Sequence, residues 1–371
     1  MKDWLSKTAV IIPAYKPDQR LAPYVEALRS AGLGRVVVVD DGSGADFDAL
    51  FEALPEDAFC HVIRYAPNAG KGVALKRGMA YVRDECPQVE GVVTADSDGQ
   101  HTALDVTRMA QALAQNAGAL VLGSRDFSQA NVPFKSRAGN RITSTVFKLL
   151  YGVWVGDTQT GLRAFDRSLL EQMIEVRGER YEYEMNVLID CAFRRIAMRP
   201  LPIETVYEND NEGSHFRAVR DSLRIYRVIF GGFFRFVGSS VSGFGVDYLA
   251  YLLFNNLLKL AGPMVDAPVR IGMFKLVPHI LLATVLARIV SGATNFFLNR
   301  RFVFSDKDKI SRSLPRYLCV FFLIMALSAL LTSSLHVWLG VSDNVIKIPV
   351  DIVLFFLSYT LQRKWVFHPT R

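Results

Sequence analysis

The chain has 371 residues, half of them hydrophobic, 4 cysteines and a formal net charge of +7. That length and apolar content supply more than one core, which excludes a small disulfide-stapled protein and a disordered one. The charge is unevenly spread: residues 229–371 hold no Glu, 6 Asp and 15 Lys+Arg, whereas residues 1–228 hold 28 basic and 30 acidic groups, so two chemically different objects meet near residue 228. The basic excess brackets apolar runs and forms no solvated stripe, so nucleic acid is not an expected partner. Cys60, Cys86, Cys191 and Cys319 show no CxxC spacing and read as reduced, buried thiols of a cytosol-facing protein. The opening MKDWLSKTAVIIPAYKP has too short an apolar run for a cleaved signal, so membrane insertion is expected from internal segments.

From Thr8 onward, short β-rich runs alternate with helical ones. Val10–Ile12 reads as a strand, 20–31 as a helix, Val36–Val39 as a strand, 46–54 as a helix, 61–65 as a strand and 70–83 as a helix; 91–95, 102–116 and 119–123 continue as strand, helix and strand. Such alternation predicts an α/β domain with a doubly wound, mostly parallel sheet, whose ligands bind beyond the carboxyl ends of the strands. The polar signals fall there. Pro13-Ala14-Tyr15 follows the first strand, Asp40-Asp41-Gly42-Ser43 the second, Asn68-Ala69-Gly70-Lys71-Gly72 the third, and Asp96-Ser97-Asp98-Gly99-Gln100-His101 the fourth. Each is a common turn when taken singly; four at one edge of one sheet mark a site. Asp96 and Asp98, two apart at a strand exit, with the amide oxygen of Gln100, can hold a hard divalent cation such as Mg²⁺ or Mn²⁺, which shares its remaining positions with water and phosphate. The chain lacks GxxxxGK[ST], GxGxxG, HExxH and a Ser-His-Asp spacing, which argues against a P-loop NTPase, a dinucleotide fold, a zinc protease and a serine hydrolase.

Residues 217–231 place Arg217, Arg220, Arg224 and Arg227 at helical spacing opposite Val219, Leu223, Tyr226 and Phe230, the pattern of a basic amphipathic helix lying in an anionic membrane surface. Four apolar stretches then pass the length test for a bilayer, roughly 233–258, 276–298, 316–339 and 345–362. Of the flanking basic residues, 14 fall on one side of the four spans and 4 on the other, which by the positive-inside rule puts both termini and the N-terminal domain in the cytoplasm. A repeat is visible: Leu298-Asn299-Arg300-Arg301-Phe302-Val303-Phe304 returns 63 residues later as Leu361-Gln362-Arg363-Lys364-Trp365-Val366-Phe367, and Arg235-Phe236-Val237 is echoed by Arg316-Tyr317-Leu318. Two similar helical hairpins are therefore expected to form a pseudo-symmetric four-helix unit. Asp247, Arg288 and Asp351 each lie 12 residues from a cytoplasmic anchor, about 18 Å deep at the helical rise. Arg288 is expected to face Asp247, Asp351 or both inside the bundle, since an unpaired charge there is costly.

The ordered segments VIIPAYKP, VVVVDDGS, NAGKGVALKRG, TADSDGQH, GSRDF, SRAGN and DTQTGLRAF, over roughly 10–165, resemble the family 2 glycosyltransferases of the GT-A fold, within them the polyprenyl-phosphate glycosyltransferases related to dolichyl-phosphate glucose and mannose synthases. The last third resembles the GtrA family of small four-span proteins. The resemblance implies a GT-A domain over 1–212, an interface helix over 213–231 and a transmembrane domain over 232–371. It further implies that Pro13, Ala14 and Tyr15 line the nucleotide pocket, Asp41 reads the base and Asp40 supports the turn. Lys71, Asp96 and Ser97 would contact the nucleotide sugar, with Asp96, Asp98 and Gln100 at the metal and diphosphate. Arg125 and Arg137 would face the acceptor phosphate, together with His215 and Arg217. The chain departs from the family in having Lys16, Pro17 and Asp18 after Tyr15, and in placing His215 where mannose synthases have a Lys, which favours UDP-glucose over GDP-mannose.

The expected enzyme is an inverting membrane glycosyltransferase of a bacterial or archaeal plasma membrane that moves a hexose from a nucleotide diphosphate sugar to a polyprenyl phosphate. A phosphate acceptor is already ionised at pH 7 and needs no strong base; Asp157, in Asp-Thr-Gln-Thr-Gly-Leu-Arg163, is where a base or site-shaping carboxylate would sit if the acceptor were a sugar hydroxyl. Two alternatives stand beside it: extension of a membrane-linked glycan at a hydroxyl, and a lipid-linked sugar flippase with a nucleotide-sugar-sensing domain. A homo-oligomer stays open.

Overall fold

The computed structural model describes residues 4–127, 134–204, 218–260, 269–271, 274–276, 278–304, 309–339 and 343–367. The chain divides into two compact units, Met1–Ile229 and Phe230–Arg371.

In the first unit, β1 (Thr8–Ala14) and β2 (Arg35–Asp41) are β-branched runs, and β1 is buried along its whole length. Continuous apolar runs of this kind belong to central parallel strands covered on both faces. One face carries Val10, Ile12, Val36 and Val38 and packs on α1 (Leu21–Ser30) and α4 (Ala103–Ala112) through Leu21, Val25, Leu28, Val106 and Met109. The other face turns Ile11 towards α3 (Lys71–Glu85), where Gly78 lets the helix approach: a β-carbon there would lie 2.5 Å from Ile11 Cγ2. A short α2 (Asp48–Glu52) precedes β3 (Cys60–Tyr65), and β4 (Gly91–Thr94) follows α3.

After β5 (Leu120–Arg125) come α5 (Phe134–Tyr151), β6 (Arg163–Asp166), α6 (Leu170–Glu175), α7 (Glu182–Arg194) and β7 (Met198–Ile203). The seven strands lie in the order β3-β2-β1-β4-β6-β5-β7, and β6 alone runs antiparallel, with Arg163 paired to Thr94 on one side and Leu122 on the other. This reversal matters for the site. A parallel strand delivers its exit to the carboxyl edge; β6 delivers its entrance, so the loop 156–162 arrives beside the ends of β4 and β5.

The four apolar stretches correspond to helices Ala218–Lys259, Pro278–Leu298, Ile310–Leu339 and Asp343–Leu361, with a small antiparallel hairpin of Val269–Ile271 and Phe274–Leu276 that the hydropathy pattern did not announce. Among the described residues, the segments Tyr226–Lys259 and Ile310–Leu327 are long and apolar enough to cross a membrane by themselves. The expected interface helix and first span are one continuous helix from Ala218. Gly231-Gly232 costs about 1 kcal/mol per glycine in a helix interior, which the aromatic residues that follow offset by packing: Phe233 meets Phe355, Phe356 and Tyr359, and Phe236 meets Phe355 and Tyr359. Large apolar side chains such as Val241, Phe244, Ile289 and Val353 face outward, the reverse of a water-soluble bundle. Cys319, expected to be buried, is exposed as well.

The sequence repeat is a structural repeat. Both copies end in a π-helical turn, Asn299–Val303 and Gln362–Val366, and each turn is closed by the same backbone bond, Phe304 N–H to Asn299 C=O at 2.9 Å and Phe367 N–H to Gln362 C=O at 2.8 Å. Arg235 donates to the Phe302 carbonyl at 3.3 Å, as Arg316 does to the Trp365 carbonyl at 3.4 Å. The two copies meet through equivalent residues: the buried Asn299 amide donates to Gln362 Oε1 at 2.9 Å, and Phe304 stacks on Phe367 at 5.1 Å. Replacing Asn299 by Leu strands the Gln362 oxygen in an apolar bundle, at a cost of about 1–3 kcal/mol. The expected result is a lower thermal midpoint in detergent for Asn299→Leu, with most of the loss recovered in Asn299→Leu/Gln362→Met.

Candidate active site

At the end of β2, two adjacent buried carboxylates build a corner. Asp40 accepts from the Ser43 N–H at 2.9 Å and from Arg64 Nε at 3.3 Å, closing the Asp-Gly-Ser turn. Asp41 accepts from Tyr65 Oη at 2.7 Å, Asn68 Nδ2 at 2.9 Å and the N–H groups of Ala69 at 2.8 Å and Gly70 at 2.9 Å. The carboxylate expected to read a base also holds the 68–70 loop, because backbone N–H groups entering a helix need an acceptor and Asp41 is the one in reach. Pro13 and Ala14 are buried at the end of β1 and Tyr15 is half-buried; next to them the Lys16 N–H donates to Ser43 Oγ at 2.8 Å, tying the first two strand ends together.

The 68–70 loop delivers Lys71 to the start of α3. Its neighbour Gly72 is required by packing: a β-carbon there would lie 2.6 Å from Tyr183 Cβ, so the start of α7 rests directly on the start of α3. That approach brings a residue the motif reading passed over. Lys71 Nζ bridges Asp96 Oδ1 at 2.6 Å and Glu184 Oε1 at 2.9 Å. Burial disfavours the ammonium charge, but the two carboxylates outweigh it and hold Lys71 above the usual lysine range. Burial likewise penalises the Asp96 charge, yet Lys71, together with His101 Nε2 at 3.4 Å, keeps its carboxyl well below the usual range. Asp98 goes the other way: burial first and the Asp96 charge second push it up, and the backbone N–H of Gln100, 3.1 Å from Oδ1, offsets only part of this. Ser97 and Gln100 are half-buried in the same turn. Gly161, in the loop before β6, packs against Asp96, where a β-carbon would lie 2.9 Å from Oδ1.

The third cluster joins β5 to that same loop. Arg125 grips the fully buried Asp157 with two bonds, Nε to Oδ2 at 2.7 Å and Nη2 to Oδ1 at 3.1 Å, and the Gln159 N–H adds a third at 3.1 Å. Asn140 on α5 donates to the Gly156 carbonyl at 2.5 Å and accepts from the Thr158 N–H at 3.2 Å, so both sides of Asp157 are pinned. Arg163, buried at the start of β6, donates to the carbonyls of Thr160 at 3.0 Å and Glu184 at 2.7 Å. Arg137 is half-buried near the start of α5; His215 and Arg217 lie outside the described residues.

Structure and motif reading meet on Lys71, Asp96, Asp98, Arg125 and Asp157. Glu184, Asn140 and Arg163 were passed over: the Tyr-Glu-Tyr-Glu around Glu184 belongs to no turn signal, and the two others act through backbone carbonyls. Among the described residues no three His, Cys, Asp or Glu side chains converge as a metal cage. In the membrane unit, Arg288 Nε lies 3.6 Å from Asp247 Oδ1, to which Ser291 Oγ donates at 2.9 Å. The pair's Asp247 end is largely covered and its Arg288 end lies at the bundle surface, the side chains being 19% and 64% exposed. Asp351 is exposed on its helix.

The model of Glycosyl transferase family 2 matches residues 9–174, and that of the GtrA/DPMS transmembrane domain matches residues 235–367. The UDP-N-acetylglucosamine–dolichyl-phosphate N-acetylglucosaminyltransferase of Methanococcus voltae is 29% identical over 217 residues, covering 53% of this chain and 85% of that one. The polyprenol monophosphomannose synthase of Mycolicibacterium smegmatis is 31% identical over 174 residues, covering 45% and 64% respectively. Among solved structures, glucosyl-3-phosphoglycerate synthase from Mycobacterium tuberculosis, in complex with Mn²⁺, UDP and glucosyl-3-phosphoglycerate, matches with a TM-score of 0.44 and 20% identity over 61% of this chain and 79% of that one.

Removing Asp157 leaves the Arg125 guanidinium without its buried partner. Breaking such a pair costs about 3–5 kcal/mol in a fully dry site and less where one partner keeps some water, as Arg125 does. Asp157→Ala is expected to lower the unfolding midpoint of the chain in urea markedly, and Asp157→Ala/Arg125→Met to recover part of it.

Proposed function

We propose, from the premise that this chain is a family 2 glycosyltransferase joined to a GtrA/DPMS transmembrane domain, that it moves a hexose from a uridine diphosphate sugar to a polyprenyl phosphate with inversion at the anomeric carbon. The observation that carries the reading is the Asp96–Asp98 pair at the carboxyl end of β4: two half-buried carboxylates close enough for the Asp96 charge to raise the proton affinity of Asp98. Such a donor set fits Mg²⁺ or Mn²⁺, which takes oxygen ligands from one or two carboxylates and completes its shell with water and substrate phosphates. When bound, the cation neutralises the diphosphate as it departs.

The protein's own groups divide the remaining work. Asp96 and Asp98 hold the cation side, and the Gln100 N–H orients Asp98. Arg125, braced by Asp157, presents a planar, permanently charged donor suited to the acceptor phosphate, and Arg137, His215 and Arg217 are proposed to extend that patch. An acceptor phosphate oxygen then forms the new bond to the anomeric carbon while the bond to the leaving diphosphate breaks and its electron pair departs with that group. The acceptor is already an anion, so positioning and electrostatics supply the acceleration. Asp157 favours this over transfer to a hydroxyl, because both of its oxygens are already engaged by Arg125.

A lipid acceptor is also supported by the outer face of α5. Ile142, Leu149 and Trp154 stand 55%, 69% and 54% exposed in the first unit, beside exposed Arg141 and Lys148, whose ammonium lies 5.8 Å from the Trp154 ring. Apolar and basic residues alternating on one face suit a lipid headgroup layer. We place the enzyme in a bacterial or archaeal plasma membrane with this domain on the cytoplasmic side, and take glucose as the first sugar to test, since the named relatives use different ones.

The test is transfer from radiolabelled UDP-glucose, UDP-N-acetylglucosamine and GDP-mannose to a short polyprenyl phosphate with Mg²⁺ or Mn²⁺. Asp98→Ala is expected to abolish product while leaving the melting temperature within a few degrees; unchanged transfer by that variant overturns the assignment. Leu149→Glu/Trp154→Glu is expected to raise KM for the lipid phosphate about tenfold, with KM for the sugar nucleotide unchanged.

A further inference from the structure

The Lys71 ammonium occupies the acid that the proposed cation needs. Its Nζ lies 2.6 Å from Asp96 Oδ1 and 2.9 Å from Glu184 Oε1, two contacts for a group with three protons. A divalent ion on Asp96 and an ammonium on the same carboxylate repel one another, so the two cations compete for Asp96. Without a second acid, the lysine would have no charged partner once displaced, and a buried unpaired charge is costly. Glu184 supplies that second acid. Its side chain is 11% exposed, and its backbone is fixed by the Arg163 bond to its carbonyl and by the Gly72–Tyr183 approach. Lys71 therefore has only to shift its weight from one carboxylate to the other, with no movement of either helix.

We propose that Glu184 is a positioning residue that takes over the Lys71 ammonium when a divalent cation claims Asp96, and thereby sets the metal affinity of the site. This deepens the function proposed above and rests on it. Glu184 acts through Lys71, which separates its role from that of a plain negative charge in the neighbourhood: its influence on the metal disappears when Lys71 is gone.

The test is Mn²⁺ titration of the purified full chain in detergent, followed by the electron paramagnetic resonance signal of free Mn²⁺, with circular dichroism to verify folding. Glu184→Gln leaves Lys71 on Asp96 and is expected to weaken Mn²⁺ binding about tenfold; Lys71→Met removes the competitor and is expected to tighten it by a similar factor. Glu184→Asp is expected to keep most of the wild-type affinity. The double variant Lys71→Met/Glu184→Gln is expected to match Lys71→Met within about twofold. An unchanged Kd in Glu184→Gln, or an equal loss in the presence and absence of Lys71, overturns the proposal. If Glu184→Gln fails to fold, Lys71→Met alone decides: binding no tighter than wild type removes the competition. Failure of wild type to bind Mn²⁺, or full affinity in Asp98→Ala, defeats the metal-dependent transfer itself, an outcome distinct from normal wild-type binding with an indifferent Glu184.

Discussion

The first unit is organised around the need to compensate carboxylates gathered at one sheet edge. Asp40, Asp41, Asp96, Asp98, Asp157 and Glu184 all lie at the carboxyl ends of strands or beside them, and each buried charge needs donors or a counter-charge. Asp41 gets backbone N–H groups, Asp40 gets Arg64, Asp157 gets Arg125, and Asp96 and Glu184 share Lys71. Asp98 is the exception. Burial and the Asp96 charge raise its proton affinity, and the Gln100 N–H with the His101 and Lys71 charges offsets only part of that. Six carboxylates at this edge are matched by three basic side chains, Arg64, Arg125 and Lys71, so the edge as folded keeps an excess of negative charge.

The same bookkeeping explains which small residues are needed. Gly72 and Gly161 have in common that a side chain would push apart a charged contact: α7 from Lys71 in one case, the β6 entrance loop from Asp96 in the other. Asn140 and Arg163 do comparable work by holding backbone carbonyls on either side of those loops. The site is a set of loops held at short range by polar bonds, on a sheet whose packing decides nothing about specificity.

In the membrane unit the polar groups play a different part. With lipid outside, apolar contact gives helices little reason to choose one partner over another, so buried amides carry selectivity. Asn299 and Gln362 meet at equivalent positions of the two repeats, with Asn295, Tyr317 and Ser358 bonded around them. Asp247 on the first helix and Arg288 on the second form a separate pair, and the exposed Arg288 side chain contrasts with the buried amide pair.

Much was legible in the sequence because it depends on short-range chemistry. Alternating β-branched and amphipathic runs specify the first five strands and their helices, hydropathy specifies four long apolar segments, and the 63-residue echo around Asn299 and Gln362 announces the repeat. The motifs after β2, β3 and β4 point to the right edge, since turn residues and carboxylates are needed wherever chain leaves a parallel strand. Which of those carboxylates is open, and which is spent, is a different matter. The sequence leaves the partners of Asp41 and Asp157 unassigned until the tertiary structure brings the 68–70 loop and Arg125 against them, and Glu184 reads as an ordinary helix residue until α7 settles on α3. The direction of β6 was equally hidden, because a four-residue buried strand has the same pattern whichever way it runs. Local residue order determined the elements and where polarity collects; contacts between residues 24 to more than 100 positions apart decided how that polarity is shared, because electrostatic pairing depends on distance in space and leaves no period in the chain.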